Sequence, residues 1–201
     1  MSRASSSNKA LYDWYNELGD KYPQADLIVN TQEFKWRDEF LKPYLLDWRG
    51  VALDLGCNEG HYKQYIKNYV GLDIALACLK RYKGNRVCGC IQRLPFKDAS
   101  FDHILMSETL EHVKEHQQVL NECSRVLKKQ GELLITVPYG PDPWREMDFP
   151  VLKRYGLKRT TVLHGGFDVS YLRKLFMEAG LYLESGDRFT PMRVYAYGFK
   201  R

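Results

Sequence analysis

Long apolar runs are missing from this chain of 201 residues, and no stretch approaches the ~20 residues that a membrane-spanning helix needs. The opening MSRASSSNKA lacks the apolar core of a secretory leader and reads as a frayed terminus. Cysteine is sparse and odd in number: Cys57, Cys78, Cys88, Cys90 and Cys123. With no export signal, that count points to reduced thiols and a cytoplasmic location. No second close pair completes a zinc site around Cys88 and Cys90, which read instead as strand residues. Low-complexity sequence stops at the serines 5–7, and no internal repeat occurs. Charge of one sign is not in large excess either. Thirty Lys+Arg against 25 Asp+Glu give a formal charge of +5, which permits an anionic partner without demanding one. A hydrophobic share of 44% with 27% charged residues leaves an ordinary globular chain, long enough for one domain with a sizeable core.

From residue 51 onward, short apolar runs alternate with longer amphipathic stretches. The runs 51–55, 69–72, 86–91, 101–106 and 132–137 are each bounded by Gly, Asp or Pro, as strands buried on both faces are. Helical patterns at 60–67, 75–82 and 115–129 lie between them. This order predicts an α/β, doubly wound, mostly parallel sheet. Residues 169–179 then read as a helix closed by Gly180, and 181–189 with 192–199 as an antiparallel hairpin added to the sheet edge. Upstream, 9–18 and 31–46 read as helices, with Pro43 bending or ending the second. Residues 1–48 are therefore read as a helical cap segment and 49–201 as the main domain. The long Pro- and Gly-rich stretch 138–166 is a candidate active-site cover.

Val51-Ala-Leu-Asp-Leu-Gly-Cys-Asn-Glu-Gly60 runs from a strand through a glycine turn toward a helix start. Gly56 and Gly60 let backbone approach a ligand closely, and Asp54 sits at the carboxyl edge of the sheet, where ligands bind in such folds. Asp73 ends the second strand, placed to accept hydrogen bonds from ribose hydroxyls. The G-x-G-x-x-G of a dinucleotide site is absent.

These segments resemble the class I S-adenosylmethionine-dependent methyltransferases of the broad type 11. Asp-Leu-Gly-Cys-Asn-Glu-Gly60 is similar to that family's D-x-G-C-G-x-G loop, and Leu94-Pro-Phe-Lys-Asp-Ala-Ser-Phe-Asp102 to its L-P-F-x-D-x-S-F-D segment. Leu110-Glu-His-Val113 and Val126-Leu-Lys-Lys-Gln-Gly-Glu-Leu133 match the approaches around the fourth and fifth strands. The resemblance implies a seven-stranded Rossmann-like sheet and S-adenosylmethionine as cofactor, with S-adenosylhomocysteine as product. It implies cofactor contacts at Asp54, Gly56, Cys57, Gly60, Asp73, Ile74, Cys90, Ile91 and Ser107. Two positions depart from the pattern. Asn58 replaces a glycine, which Asn tolerates because it visits left-handed backbone more readily than most residues. Cys90 stands where the family has an Asp for the adenine amino group, leaving the Ile91 backbone N–H to meet the ring.

Glu108, Glu111 and His112 form an E-x-x-E-H cluster, and His164 lies ahead of Phe167-Asp-Val-Ser170. If a helix starts near Glu108, the first three share a face. The cluster is similar to that of the metal-dependent O-methyltransferases, including the small-RNA 2′-O-methyltransferases. That likeness implies Mg²⁺ or Mn²⁺ held by Glu108, Glu111, His112 and His164, with a diol-bearing acceptor. Without a metal, His112 or His164 is the candidate general base, and His112, His164 and Glu108 are the candidate catalytic residues. Tyr139 is a candidate lining residue, and the aromatic stripe Tyr12, Trp14, Tyr15 and Tyr22 a candidate cover. The functional expectation is methyl transfer to a small-molecule acceptor, at a hydroxyl oxygen. An anionic acceptor would suit the basic groups around Lys80–Arg86 and Lys153–Arg159. An RNA-directed methyltransferase and a non-catalytic cofactor-binding subunit are the alternatives, though no appended RNA-binding module is evident.

Overall fold

The computed structural model describes residues 6–21, 31–140, 153–154, 156, 164, 166–190 and 193–201. Seven strands make one sheet: β1 (Val51–Leu55), β2 (Asn68–Asp73), β3 (Asn85–Cys88), β4 (Phe101–Ser107), β5 (Leu127–Pro138), β6 (Leu181–Thr190) and β7 (Arg193–Lys200). Their spatial order is β3-β2-β1-β4-β5-β7-β6. The first five pair in parallel, and β7 joins β5 antiparallel with β6 outside it. The α/β, doubly wound sheet with an antiparallel C-terminal edge is as the apolar runs and turn signals require.

Helices cover both faces because each buries an apolar stripe. On one face α4 (His116–Val126) inserts Val119, Leu120, Cys123 and Val126, and α5 (Val169–Glu178) inserts Leu172, Leu175 and Phe176. On the other, α2 (Gln32–Asp47) brings Leu41 and Leu45 against Leu105 and Leu134. Beside it α3 (Leu76–Arg81) adds Leu79. The Thr31 hydroxyl caps α2 by accepting from Phe34 N at 3.2 Å, and the Asp168 carboxylate caps α5 by accepting from Tyr171 N at 2.7 Å. α1 (Ser6–Lys21) lies against α3, where Asn16 Oδ1 accepts from Ala77 N at 3.0 Å.

Several local expectations are corrected. Pro43 does not end α2, which continues to Asp47 with Leu41 and Leu45 buried on either side of the proline. Residues 60–67 hold only a 3-10 turn at His61–Gln64. The helix expected over 115–129 stops at Val126, and β5 begins at once, Leu127 pairing with Phe101. β3 ends at Cys88, and Gly89 N donates to Asp73 O at 3.0 Å, so Cys90 lies beyond the strand. Arg188–Thr190, expected in a turn, continue β6, while Pro191, most of the 138–166 stretch and Tyr22 lie outside the described residues.

Candidate active site

The carboxyl ends of β1, β2, β4 and β5 gather one polar group of residues. After β1 the chain turns through Gly56 (φ 75°), Asn58 (φ 49°) and Gly60 (φ 79°), all left-handed. A Cβ on Gly56 would overlap the Thr109 side chain, and one on Gly60 the Tyr82 ring, so both glycines are also required by packing. Asp73 holds the turn in shape: its Oδ2 accepts from Asn58 N and its Oδ1 from Ala75 N, each at 2.8 Å. Asp54 is buried and accepts a hydrogen bond from the Tyr69 hydroxyl. Burial pushes its carboxyl up to about 7, with the Tyr69 bond acting against that and the Asp73 charge adding to it.

Past β4, Glu108 adopts left-handed backbone at φ 52°, with its N–H donating to Thr136 O at 2.9 Å. That conformation costs a non-glycine residue on the order of 1–3 kcal/mol, and such strain gathers at functional sites. Its carboxylate faces two guanidiniums, with Arg193 Nε 2.6 Å and Arg37 Nη1 3.7 Å from Oε2. Arg37 Nε also donates to Tyr62 Oη at 3.2 Å, and Tyr62 Oη lies 3.4 Å from Ser107 Oγ. Ser107 Oγ in turn lies 3.1 Å from Thr136 Oγ1. Glu111 is almost wholly buried. Burial, then the Glu108 charge, pushes its carboxyl well above the usual range, against the opposing pull of a backbone hydrogen bond, Arg193 and Arg37.

Tyr15, from α1, reaches over this edge. Its ring meets His112 edge-on at 5.7 Å, and burial, then Glu111 and Asp73, raise its phenol. Among the described residues, Tyr15 Oη, Asn58 Oδ1, Glu108 Oε1 and Glu111 Oε2 are buried polar atoms with no hydrogen-bond partner. Native interiors leave few such atoms, so four around one edge call for a polar ligand there.

A protein-family model described as a methyltransferase domain matches residues 53–135, from β1 through most of β5. Residues 53–135 are thus similar to a methyltransferase domain. An uncharacterized protein from Methanocaldococcus jannaschii is 41% identical over 91 residues, covering 43% of this chain and 40% of that one. The demethylmenaquinone methyltransferase of Shouchella clausii is 24% identical over 214 residues, covering 89% of this chain and 90% of that enzyme. A solved structure of a Pyrococcus horikoshii protein shares the fold at TM-score 0.68 and 20% identity, covering 92% of this chain and 99% of its own. The alignment thus spans less than half of the first relative's length.

Within the matched region, Asp54, Gly56, Cys57, Gly60, Asp73 and Ile74 come together at the ends of β1 and β2, with Ser107 beside them at the end of β4. The Gly56 and Cys57 N–H groups are both spent on Leu72 O, at 2.8 and 3.1 Å. Ile91 is buried past β3, and Cys90 Sγ meets Gln92 Oε1 at 3.5 Å. The residues fit the cofactor: the unpartnered Asn58 Oδ1 and Tyr15 Oη flank Asp73, whose spare lone pairs can still accept hydroxyls.

The metal-ligand set does not assemble. Among the described residues, no three His, Cys, Asp or Glu side chains form a group able to hold a metal ion. Glu108 precedes the 3-10 turn Leu110–His112 in left-handed backbone, so it shares no helical face with Glu111 and His112, and its charge is answered by Arg193. His164 meets Glu111 through its backbone, His164 N donating to Glu111 O at 2.6 Å. Asp168, in the downstream motif, is the cap of α5. His112 Nε2 stands 3.9 Å from Glu111 Oε1, and His164 acts electrostatically on His116, which burial and then His164 hold below its usual pKa. Tyr139 packs under Arg188, whose guanidinium sits 3.3 Å from the ring centroid, and Arg154 pairs with Glu17 of α1 at 2.5 Å.

Sequence reasoning did not single out Arg37, Tyr62, Tyr69, Thr136 or Arg193. Only Arg193 left a trace, as the lone charge opening an apolar run, Arg193–Phe199. Arg37 is one of many charges in an ordinary amphipathic helix, and nothing local marks it. No helix among the described residues is long and apolar enough to cross a membrane.

Proposed function

We propose that this chain is an S-adenosylmethionine-dependent methyltransferase acting on a small molecule at a hydroxyl oxygen, with Glu108 receiving the hydroxyl proton. The observation that carries the reading is the pair of buried, unpartnered carboxyl oxygens, Glu108 Oε1 and Glu111 Oε2, beside the cofactor residues. A hydroxyl group satisfies both kinds of orphan at once. It donates to Glu108, and its lone pair accepts from a protonated Glu111 or from Tyr15 Oη. Glu111, buried and beside a charged Glu108, keeps its proton; Glu108, facing two guanidiniums, is the acceptor of one.

S-adenosylmethionine, when bound, supplies a methyl group on a positively charged sulfur. Glu108 would take the O–H proton as the acceptor oxygen receives that methyl group. Ser107, Thr136 and Tyr62 line the route from the cofactor residues to the guanidiniums, holding the acceptor in register. Tyr15 and α1 exclude water from above.

The test is a screen of small hydroxyl compounds for S-adenosylhomocysteine release, with the methylated position assigned by mass spectrometry and NMR. Glu108→Gln is expected to lower kcat by about 10²–10⁴-fold while cofactor affinity is kept. Methylation at nitrogen or carbon, or a Glu108→Gln enzyme at full speed, overturns the reading.

A further inference from the structure

Arg37 is a buried cation whose donors are mostly uncommitted. Its side chain is only 12% exposed, on the face of α2 that looks down on the ends of β1 and β4. Two contacts fix the guanidinium in place: Nε donates to Tyr62 Oη at 3.2 Å, and the Phe34 ring lies beneath it with its centroid 4.9 Å from Cζ. The other end is open. Nη1 stands 3.7 Å from Glu108 Oε2, outside hydrogen-bond reach, and that oxygen is already taken by Arg193 Nε at 2.6 Å. Among the described residues neither Nη1 nor Nη2 has a hydrogen-bond acceptor.

We infer that Arg37 is a carboxylate clamp of this site, its Nη1/Nη2 edge receiving one carboxylate of a bound ligand. The inference rests on the methyltransferase reading and deepens it. Geometry favours the carboxylate, because a guanidinium held flat offers two parallel N–H groups that match its two oxygens. Charge favours it too. Inside the site Glu108 Oε2 lies 2.6 Å from Arg193 Nε and 3.7 Å from Arg37 Nη1, so the charge of Arg37 is only weakly answered there. Arg37 leans on Tyr62, just past the glycine turn, and on Glu108, past β4, so it borders both halves of the site. The carboxylate therefore belongs either to the methionyl part of the cofactor or to the acceptor.

Calorimetric titration of the whole protein separates these sources. The cofactor pair is S-adenosylmethionine and its decarboxylated analogue. The acceptor pairs, titrated with S-adenosylhomocysteine bound, are benzoate with benzamide and 4-hydroxybenzoate with 4-hydroxybenzamide. Arg37→Gln is expected to weaken the carboxylate member of one pair by about 10- to 100-fold and leave its carboxylate-free partner unchanged. A selective loss in the cofactor pair assigns the clamp to the cofactor, and one in an acceptor pair to the acceptor. Arg37→Lys, which keeps the charge but not the fork, is expected to lose less. Should Arg37→Gln fail to fold, the lysine variant decides. Equal losses within every pair, or no loss in any, overturn the inference. None of these titrations needs turnover, so a failure of hydroxyl methylation would leave them standing and the two readings fail separately.

Discussion

The two ends of the same sheet treat their carboxylates in opposite ways. At the amino ends of β4 and β5, Asp102 accepts from Val51 N at 2.8 Å and from Lys128 Nζ at 3.0 and 2.9 Å. Glu132 Oε2 pairs with His103 Nδ1 at 2.9 Å, His103 Nε2 donates to Arg49 O at 2.5 Å, and Trp48 stacks on the imidazole at 4.8 Å. Burial alone would raise Asp102, but the Val51 N–H and Lys128 outweigh it and hold the carboxyl below its usual range. The His103 bond does the same for Glu132 against its burial. An open cleft of about 600 Å³ lies here, bordered by Trp48, His103 and Glu132, whose polar groups are already paired. At the carboxyl ends, Asp54, Asp73 and Glu111 are all raised by burial, and Glu108 and Glu111 each keep an oxygen without a partner. Paired carboxylates stabilise the fold. Unpaired, buried ones cost stability, and proteins tolerate that cost where a ligand will complete them.

The contrast is sharpest in turnover. Glu108→Gln should remove about 3–5 kcal/mol of transition-state stabilisation, whereas Glu132→Gln, at the opposite edge, should leave kcat within a factor of about three. Steady-state kinetics on the two variants side by side checks it, and comparable losses would erase the distinction between the edges.

Acid–base titration of stability should show the two ends with opposite signs. Asp54 is raised to about 7 in the folded chain, above the roughly 4 of an unfolded aspartate. Its contribution is then full below pH ~4 and lost as pH rises through 7, by on the order of a few kcal/mol. Asp102 and Glu132 are lowered, so theirs is present above pH ~4 and lost as pH falls through their folded values. Urea melts across pH, without cofactor, should therefore find Asp54→Asn flattening the fall toward neutral pH and Asp102→Asn flattening the fall toward acid. A wild-type slope that Asp54→Asn leaves intact would remove Asp54 from the account.

Smaller effects follow at neutral pH. Glu132→Gln should cost about 1–3 kcal/mol of stability, since the His103 contact loses its charge. Asp168→Ala should cost about 1 kcal/mol through the lost cap of α5, with no change in turnover or in response to Mg²⁺. A variant that lost activity at unchanged melting temperature would return Asp168 to the site.

Much of this was legible in the residues. The glycine turn, Asp54 and Asp73 stand at the strand ends where local pattern alone puts them, because φ > 0 and a strand's final carboxylate are local requirements. Asn58 is left-handed, as its side chain permits. The acidic cluster was harder. Read on a helix, Glu108, Glu111 and His112 share a face; in the fold Glu108 turns away toward arginines 71 and 85 positions distant in sequence, Arg37 and Arg193. Long-range ion pairs leave no periodicity to read, and a motif cannot say which charges the sheet order will set opposite it.

By itself, then, the sequence determined the α/β winding, the antiparallel edge and the cofactor turn. Each follows from patterns no longer than one strand–turn–helix unit, where apolar spacing and backbone freedom decide. The tertiary structure alone decided which carboxylates are paired and which are left open, that α1 sets Tyr15 over the edge, and that Arg37 arrives with its fork unspent. Those facts depend on desolvation and on neighbours brought together across the sheet, and neither quantity exists until the chain has folded.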